Sequence, residues 1–276
     1  MFSNFFNEEN YDINKSILGI GVFLLLYLML NISLIAIYAF FPGFLEYIFS
    51  FFAQFPGSIN LFILVIIQEI ILLTMLLIGI YVWKNYNIQK LLHFSWNFFK
   101  KQMKENNFSK ILWYGVGFYI LYIVISGFLY LFLNFFDLKI PGFFGEQDVA
   151  TTIGGIGTDF WYDYLLLFLA VGIIGPLVEE IIYRGFITKQ LIKKRGGIIG
   201  GVLGAAIFAL IHFERQVMGN LFILALFLSY IYYKTGSLTY CFAFHFIVNT
   251  TALMALFFGD HIEEFEETYN LVIFFV

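Results

Sequence analysis

Residues 164–195 read YLLLFLAVGIIGPLVEEIIYRGFITKQLIKKR. The stretch is apolar from Tyr164 to Val178 and then meets Glu179, Glu180 and Arg184 in quick succession. About 20 apolar residues wound as a helix cross the hydrocarbon of a bilayer with every backbone group bonded internally. Ionisable groups at that depth are costly, face the interior of a helix bundle, and mark functional sites by default. The interruption of this fourth apolar segment is therefore the first sign of a site.

Six further segments flank it. Residues 16–41 and 111–136 each run 26 positions without a charge, and residues 235–259 run 25. Residues 61–83 contain one acid, Glu69, while 196–213 and 216–233 are uncharged but only 18 residues long. Across the 276 residues, 61% are hydrophobic and 12% charged, where a soluble domain carries roughly a quarter charged residues. Mean hydropathy is +0.86. The predicted fold is all-α: a polytopic transmembrane helical bundle of about seven to eight spans. With no repeat, no Pro-rich or Ser-rich linker and only four prolines, residues 1–276 read as a single bundle. Residues 164–258 form its polar-bearing core.

Loop charge sets the orientation, because Lys and Arg collect on the cytoplasmic side. Residues 84–110 hold six lysines against one acid, Glu105; Lys189, Lys193, Lys194 and Arg195 follow the fourth segment, and Lys234 separates the sixth from the seventh. The alternate loops are acidic or nearly neutral. This parity predicts a cytoplasmic N-terminus and an acidic tail outside. Glu8, Glu9 and Asp12 precede the first apolar run, unlike the basic start of a signal peptide, so that run is expected to stay as an anchor. The stretch 85–110 mixes aromatics with lysines, as an interfacial amphipathic helix does. The single cysteine, Cys241, excludes an intrachain disulfide. A net charge of −4 gives no reason to expect nucleic acid.

The polar residues within the spans fall on three helices. Glu180 and Arg184 are four apart, acid first, so they share a helix face and neutralise one another. Glu179 points about 100° away from its neighbour and is left as the carboxylate for a general base, with Glu180 and Arg184 as its support. Phe208 and His212 are also four apart. The glycines at 196 and 197 turn the fourth and fifth helices into an antiparallel hairpin, which sets Glu180 and His212 level. Gly196, Gly200 and Gly204, with Gly197 and Gly201, let helix backbones approach closely in lipid. His245 and Asn249 put two more polar side chains on one face of the seventh helix. His93 and His261 fall in loops.

A carboxylate that takes a proton from water, with imidazole and amide groups to stabilise an oxyanion, is sufficient in kind for amide hydrolysis. Zinc is an open alternative: His212, His245 and Glu179 are ligand types that leave a water position free. Asn249 is a poor zinc ligand, and no His-Glu-x-x-His motif occurs.

Taken in order, Glu179-Glu180-x-x-x-Arg184, Phe208-x-x-x-His212 and His245-x-x-x-Asn249 resemble the three motifs of the CPBP intramembrane proteases. That family includes the type II CAAX prenyl endopeptidases and the Abi proteins associated with bacteriocin self-immunity. The resemblance covers residues 164–258. It implies a helical bundle with an interior cavity, in which Glu179 activates water amid His212, His245 and Asn249, and a peptide or membrane-protein substrate met within membrane lipid. It leaves metal dependence, oligomeric state and the substrate itself open. Two other classes stand beside it. One is a proton-coupled transporter with Glu69 in its pathway, against which no interrupted pair of spans recurs in the two halves. The other is a non-catalytic immunity or partner-binding membrane protein. Richness in Phe, Ile, Tyr, Asn and Lys points to an AT-rich, bacterial genome.

Overall fold

The computed structural model describes residues 13–41, 57–83, 107–135, 161–212 and 218–259, with isolated positions at 43, 47 and 50. Among these residues the chain is all-helical, with seven helices answering the seven predicted segments: α1 (Ile13–Phe40), α2 (Gly57–Trp83), α3 (Asn107–Phe135), α4 (from Trp161 to Arg195), α5 (Gly197–Ile211), α6 (Met218–Thr235) and α7 (Leu238–Gly259). Three stretches, Ile17–Leu34, Ser58–Tyr81 and Tyr162–Arg195, are by themselves long and apolar enough to cross a membrane; Trp113–Ile125, Gly197–Ile211 and Leu238–Met254 are shorter apolar helices. The predicted amphipathic stretch up to residue 106, the acidic loop 137–160, the polar turn at Glu214 and Arg215 and the acidic tail from 260 lie outside the described residues.

The chain divides into two compact units, one made of residues 11–86 and 151–178, the other of 1–10, 87–150 and 179–276. In the first unit α1 and α2 pack closely. A Cβ on Gly79 would fall 2.8 Å from the carbonyl oxygen of Gly19, so glycine is what permits the approach. Phe23, Leu72, Leu76 and Ile80 fill the seam. The start of α4 docks on α2, where the Ser58 hydroxyl donates to the buried Asp163 carboxylate. Glu69 is buried on α2 with Oε1 near Gly175 of α4, which answers the prediction that this acid reaches another helix.

In the second unit, α3, the later part of α4, and α5 to α7 enclose an apolar core of Tyr122, Ile192, Leu224, Leu228, Tyr232, Cys241, Phe244 and Val248. Tyr122 meets Phe244 edge-on, with ring centroids 6.4 Å apart at 86°, the arrangement aromatic quadrupoles favour. Two tight turns join the helices. Gly196 (φ 84°) ends α4 with its N–H donated to Ile192 C=O at 2.8 Å, and Gly236 (φ 63°) ends α6 in the same way on Tyr232 at 2.7 Å. Only glycine takes that left-handed backbone without cost. Many large apolar side chains on α3 and α5 face outward, among them Trp113, Phe128 and Ile198, as they would towards lipid tails.

The predicted glycine packing of α4 against α5 is present. A Cβ on Gly200 would lie 2.3 Å from the Ile192 backbone nitrogen, and one on Gly204 would lie 2.3 Å from Thr188 Oγ1.

Candidate active site

The site lies wholly in the second unit and is built on a local change of winding. From Glu180 to Thr188, α4 runs as a π-helix, before returning to α-helix at Lys189–Arg195. Its hydrogen bonds span five residues, and such wide turns concentrate at functional sites. Glu179 stands at the N-cap of this segment, at the end of the α-helical Gly175–Glu179.

Glu180 and Arg184 form the predicted pair, with Arg184 Nη1 donating to Glu180 Oε1 at 2.9 Å and both side chains only 1% exposed. Isolation of an ion pair at that depth is costly unless further bonds satisfy it. Two are found. Arg184 Nη2 reaches the Ala225 carbonyl of α6 at 3.5 Å, and its guanidinium carbon lies 4.6 Å from the centroid of the Phe208 ring. Neither the Ala225 carbonyl nor this cation–π contact is legible from motif spacing.

His245, on α7, lies 2.9 Å from Glu180 Oε1 through Nδ1. Since an ionised carboxylate only accepts, Nδ1 carries the proton. His212, at the C-terminal end of α5, has Nδ1 2.7 Å from the Phe208 carbonyl, which likewise only accepts. Both imidazoles are thus held in one tautomer, with Nε2 left for the site.

Both Nε2 atoms face Glu179. That of His212 is 3.9 Å from Glu179 Oε1 and that of His245 is 3.7 Å from Oε2. These separations exceed a direct hydrogen bond. Glu179 is 19% exposed and His212 27%, whereas Glu180 is sealed. The two adjacent glutamates therefore differ as predicted: one is tied up in the interior, the other looks out on an accessible space.

The Phe208 ring ties the group together. Its centroid is 4.5 Å from that of His212, 6.3 Å from His245 and 4.8 Å from Tyr183. Tyr183 was not singled out in the sequence; its position one residue before Arg184, on the helix that carries the acids, is the signal available. Asn249 lies one turn beyond His245 on α7 and is half-buried. Among the described residues, no group of three or more His, Cys, Asp or Glu side chains is arranged to hold a metal ion. Glu179, His212 and His245 are of the right chemical types but stand too far apart to meet one zinc ion, whose ligands sit at roughly 2.0–2.2 Å.

Residues 160–251 match the sequence model of a family described as type II CAAX prenyl endopeptidase Rce1-like. No curated protein matches the chain, and no solved structure does. The matched region spans α4 to α7, and so takes in all three motifs.

Proposed function

We propose, from the membership of residues 160–251 in the Rce1-like family of type II CAAX prenyl endopeptidases, that the chain is an intramembrane endopeptidase working by glutamate-activated water. The observation that carries this reading is the convergence of two imidazole Nε2 atoms, at 3.7 and 3.9 Å, on the one glutamate that is not buried in an ion pair. A water molecule held between them gives one hydrogen to Glu179 and is oriented by an Nε2 lone pair.

The oxygen of that water attacks the scissile carbonyl carbon as its proton passes to Glu179. The oxyanion that forms is stabilised by the Asn249 side-chain amide and by whichever histidine carries a second proton at Nε2. Glu179 then returns the proton to the leaving nitrogen, the C–N bond breaks, and a carboxylate and an amine result. Glu180 and Arg184 take no part in proton transfer. They fix the Nδ1–H of His245 and so determine which nitrogen it offers. No step is routed through a metal ion.

The substrate is a membrane-associated peptide or protein, with prenylated chains the class the family points to. The setting is a bacterial cytoplasmic membrane with the N-terminus inside, as the lysine-rich loops indicate. Newly formed peptide termini should be quantified across the membrane proteome of cells expressing the wild-type chain or Glu179→Ala at matched abundance. Termini unique to the wild type support glutamate-dependent cleavage and name its substrates. Identical termini from two folded, equally abundant proteins would sink the reading in favour of a non-catalytic partner-binding role.

A further inference from the structure

The end of the second unit carried by the α4–α5 and α6–α7 turns has no part in the chemistry above. Lys193, Lys194 and Arg195 close α4, and Lys234 lies in the last turn of α6. Lys194, Arg195 and Lys234 are exposed. No acid occurs between Glu180 and Glu214, or between Glu214 and Asp260, so neither turn has an acidic residue within its own helices. A C-terminal helix dipole favours a basic residue near each end, but it does not call for four.

The two turns are joined by an aromatic platform. The Tyr233 ring lies flat against Gly197, where a Cβ would fall 2.4 Å from two of its ring carbons. The Lys234 ammonium stands 5.6 Å from the Tyr230 centroid and 5.7 Å from that of Tyr233. That places it over two rings, within the range of a cation–π contact. This holds the Lys234 charge beside the turn that bears Arg195. Ile198 and Ile199 follow directly, 83% and 57% exposed.

The surface is therefore layered: cations outermost, tyrosines beside them, bare isoleucines next along the helix. An anionic phospholipid has the same order, with phosphate, glycerol and acyl chain in succession, and tyrosines favour the level between the two solvents. We propose that this end of the unit is a binding site for the headgroup of an anionic phospholipid in the cytoplasmic leaflet. Lys194, Arg195 and Lys234 take the phosphate, and Ile198 and Ile199 take the first part of an acyl chain. The exposed isoleucines favour a lipid over free phosphate, which offers them nothing.

The test uses the purified full chain in mixed phosphatidylglycerol and phosphatidylcholine nanodiscs, with the lipid retained after extraction counted by native mass spectrometry. The wild type should enrich phosphatidylglycerol, and Lys234→Gln should lower the enrichment about fivefold, the worth of one basic side chain near an anionic surface. A Lys194→Gln/Arg195→Gln/Lys234→Gln chain should abolish it. A chain with Lys100→Gln/Lys101→Gln/Lys104→Gln, which loses the same charge elsewhere, should keep it. Equal retention of both lipids by the wild type, or an equal loss in the two triple variants, would overturn the proposal and leave the cations as determinants of topology. Displacement of the retained lipid by millimolar inorganic phosphate would also overturn it, by showing a site for phosphate alone. Lys234 is exposed, so its single variant is read on a folded protein.

Discussion

A single oxygen, Glu180 Oε1, lies 2.9 Å from Arg184 Nη1 and 2.9 Å from His245 Nδ1. It balances the buried guanidinium and also selects the imidazole tautomer. Glu180→Gln puts an amide where both neighbours need an anion, and should destabilise the fold by about 3–5 kcal/mol, the usual cost of an uncompensated buried charge. Thermal unfolding in detergent reads this directly. Glu180→Leu with Arg184→Met should recover much of the stability and none of the activity.

The two histidines should separate under substitution. His212 is bound at Nδ1 only to a backbone carbonyl of its own helix and is partly exposed, so His212→Ala should cut hydrolysis about 10²-fold or more while sparing the unfolding midpoint. His245→Ala removes a buried partner of Glu180 and should lower both. Equal midpoint losses for the two variants would show that His212 is structural.

Phe208 is expected to serve both halves of the site, because its ring faces the Arg184 guanidinium and the His212 imidazole. Phe208→Leu keeps an apolar side chain but loses the ring face, worth about 0.5–2 kcal/mol to a cation. Activity at matched protein amount should fall, with Arg184→Lys in the same background adding less than it does alone. Full additivity in that double-mutant cycle would break the link between ring and cation.

Neighbouring glycines on α5 should respond in opposite ways to the same added methyl group. Gly200→Ala meets the α4 backbone and Gly204→Ala the side chain of Thr188, each at 2.3 Å, while Gly201→Ala finds nothing nearer than Ser229 Cβ at 3.6 Å. Overpacking of this kind costs about 1–3 kcal/mol. The first two variants should lose stability and activity together, since they part the helices carrying Glu179 and His212, and Gly201→Ala should resemble the wild type.

Removing metal should leave turnover unchanged. Activity that disappears with 1,10-phenanthroline and returns with zinc, together with about one zinc per purified chain, would replace the glutamate–water mechanism with a metal-based one.

The order of apolar segments was readable because the bilayer sets their length, and the i,i+4 pairing of Glu180 with Arg184 because helix geometry fixes it within one element. Equal distance from the Gly196 turn likewise set the acids level with His212, and the structure brings Glu179 and His212 together. The bond from His245 to Glu180 was not readable, since it joins residues 65 positions apart through tertiary packing alone. Nor were the histidine tautomers, which rest on a carboxylate in one case and a main-chain carbonyl in the other. The π-winding from Glu180 to Thr188 was hidden too, because an apolar helix buried on most sides shows little periodicity from which to judge its pitch.

That winding bears on how the chain tolerates changes in length. A wide turn holds one residue more than an α-helical turn, and so behaves as an insertion absorbed without disturbing what lies on either side. Removing one residue between 185 and 188 would let this stretch tighten into ordinary helix, and Lys189–Arg195 would swing by about 100°. Ile192 would leave the core it now shares with Tyr232 and Cys241, while the glutamates, upstream of the cut, kept their place. The four residues 185–188 thus act as a spacer whose length, more than its side chains, keeps the two halves of α4 in phase.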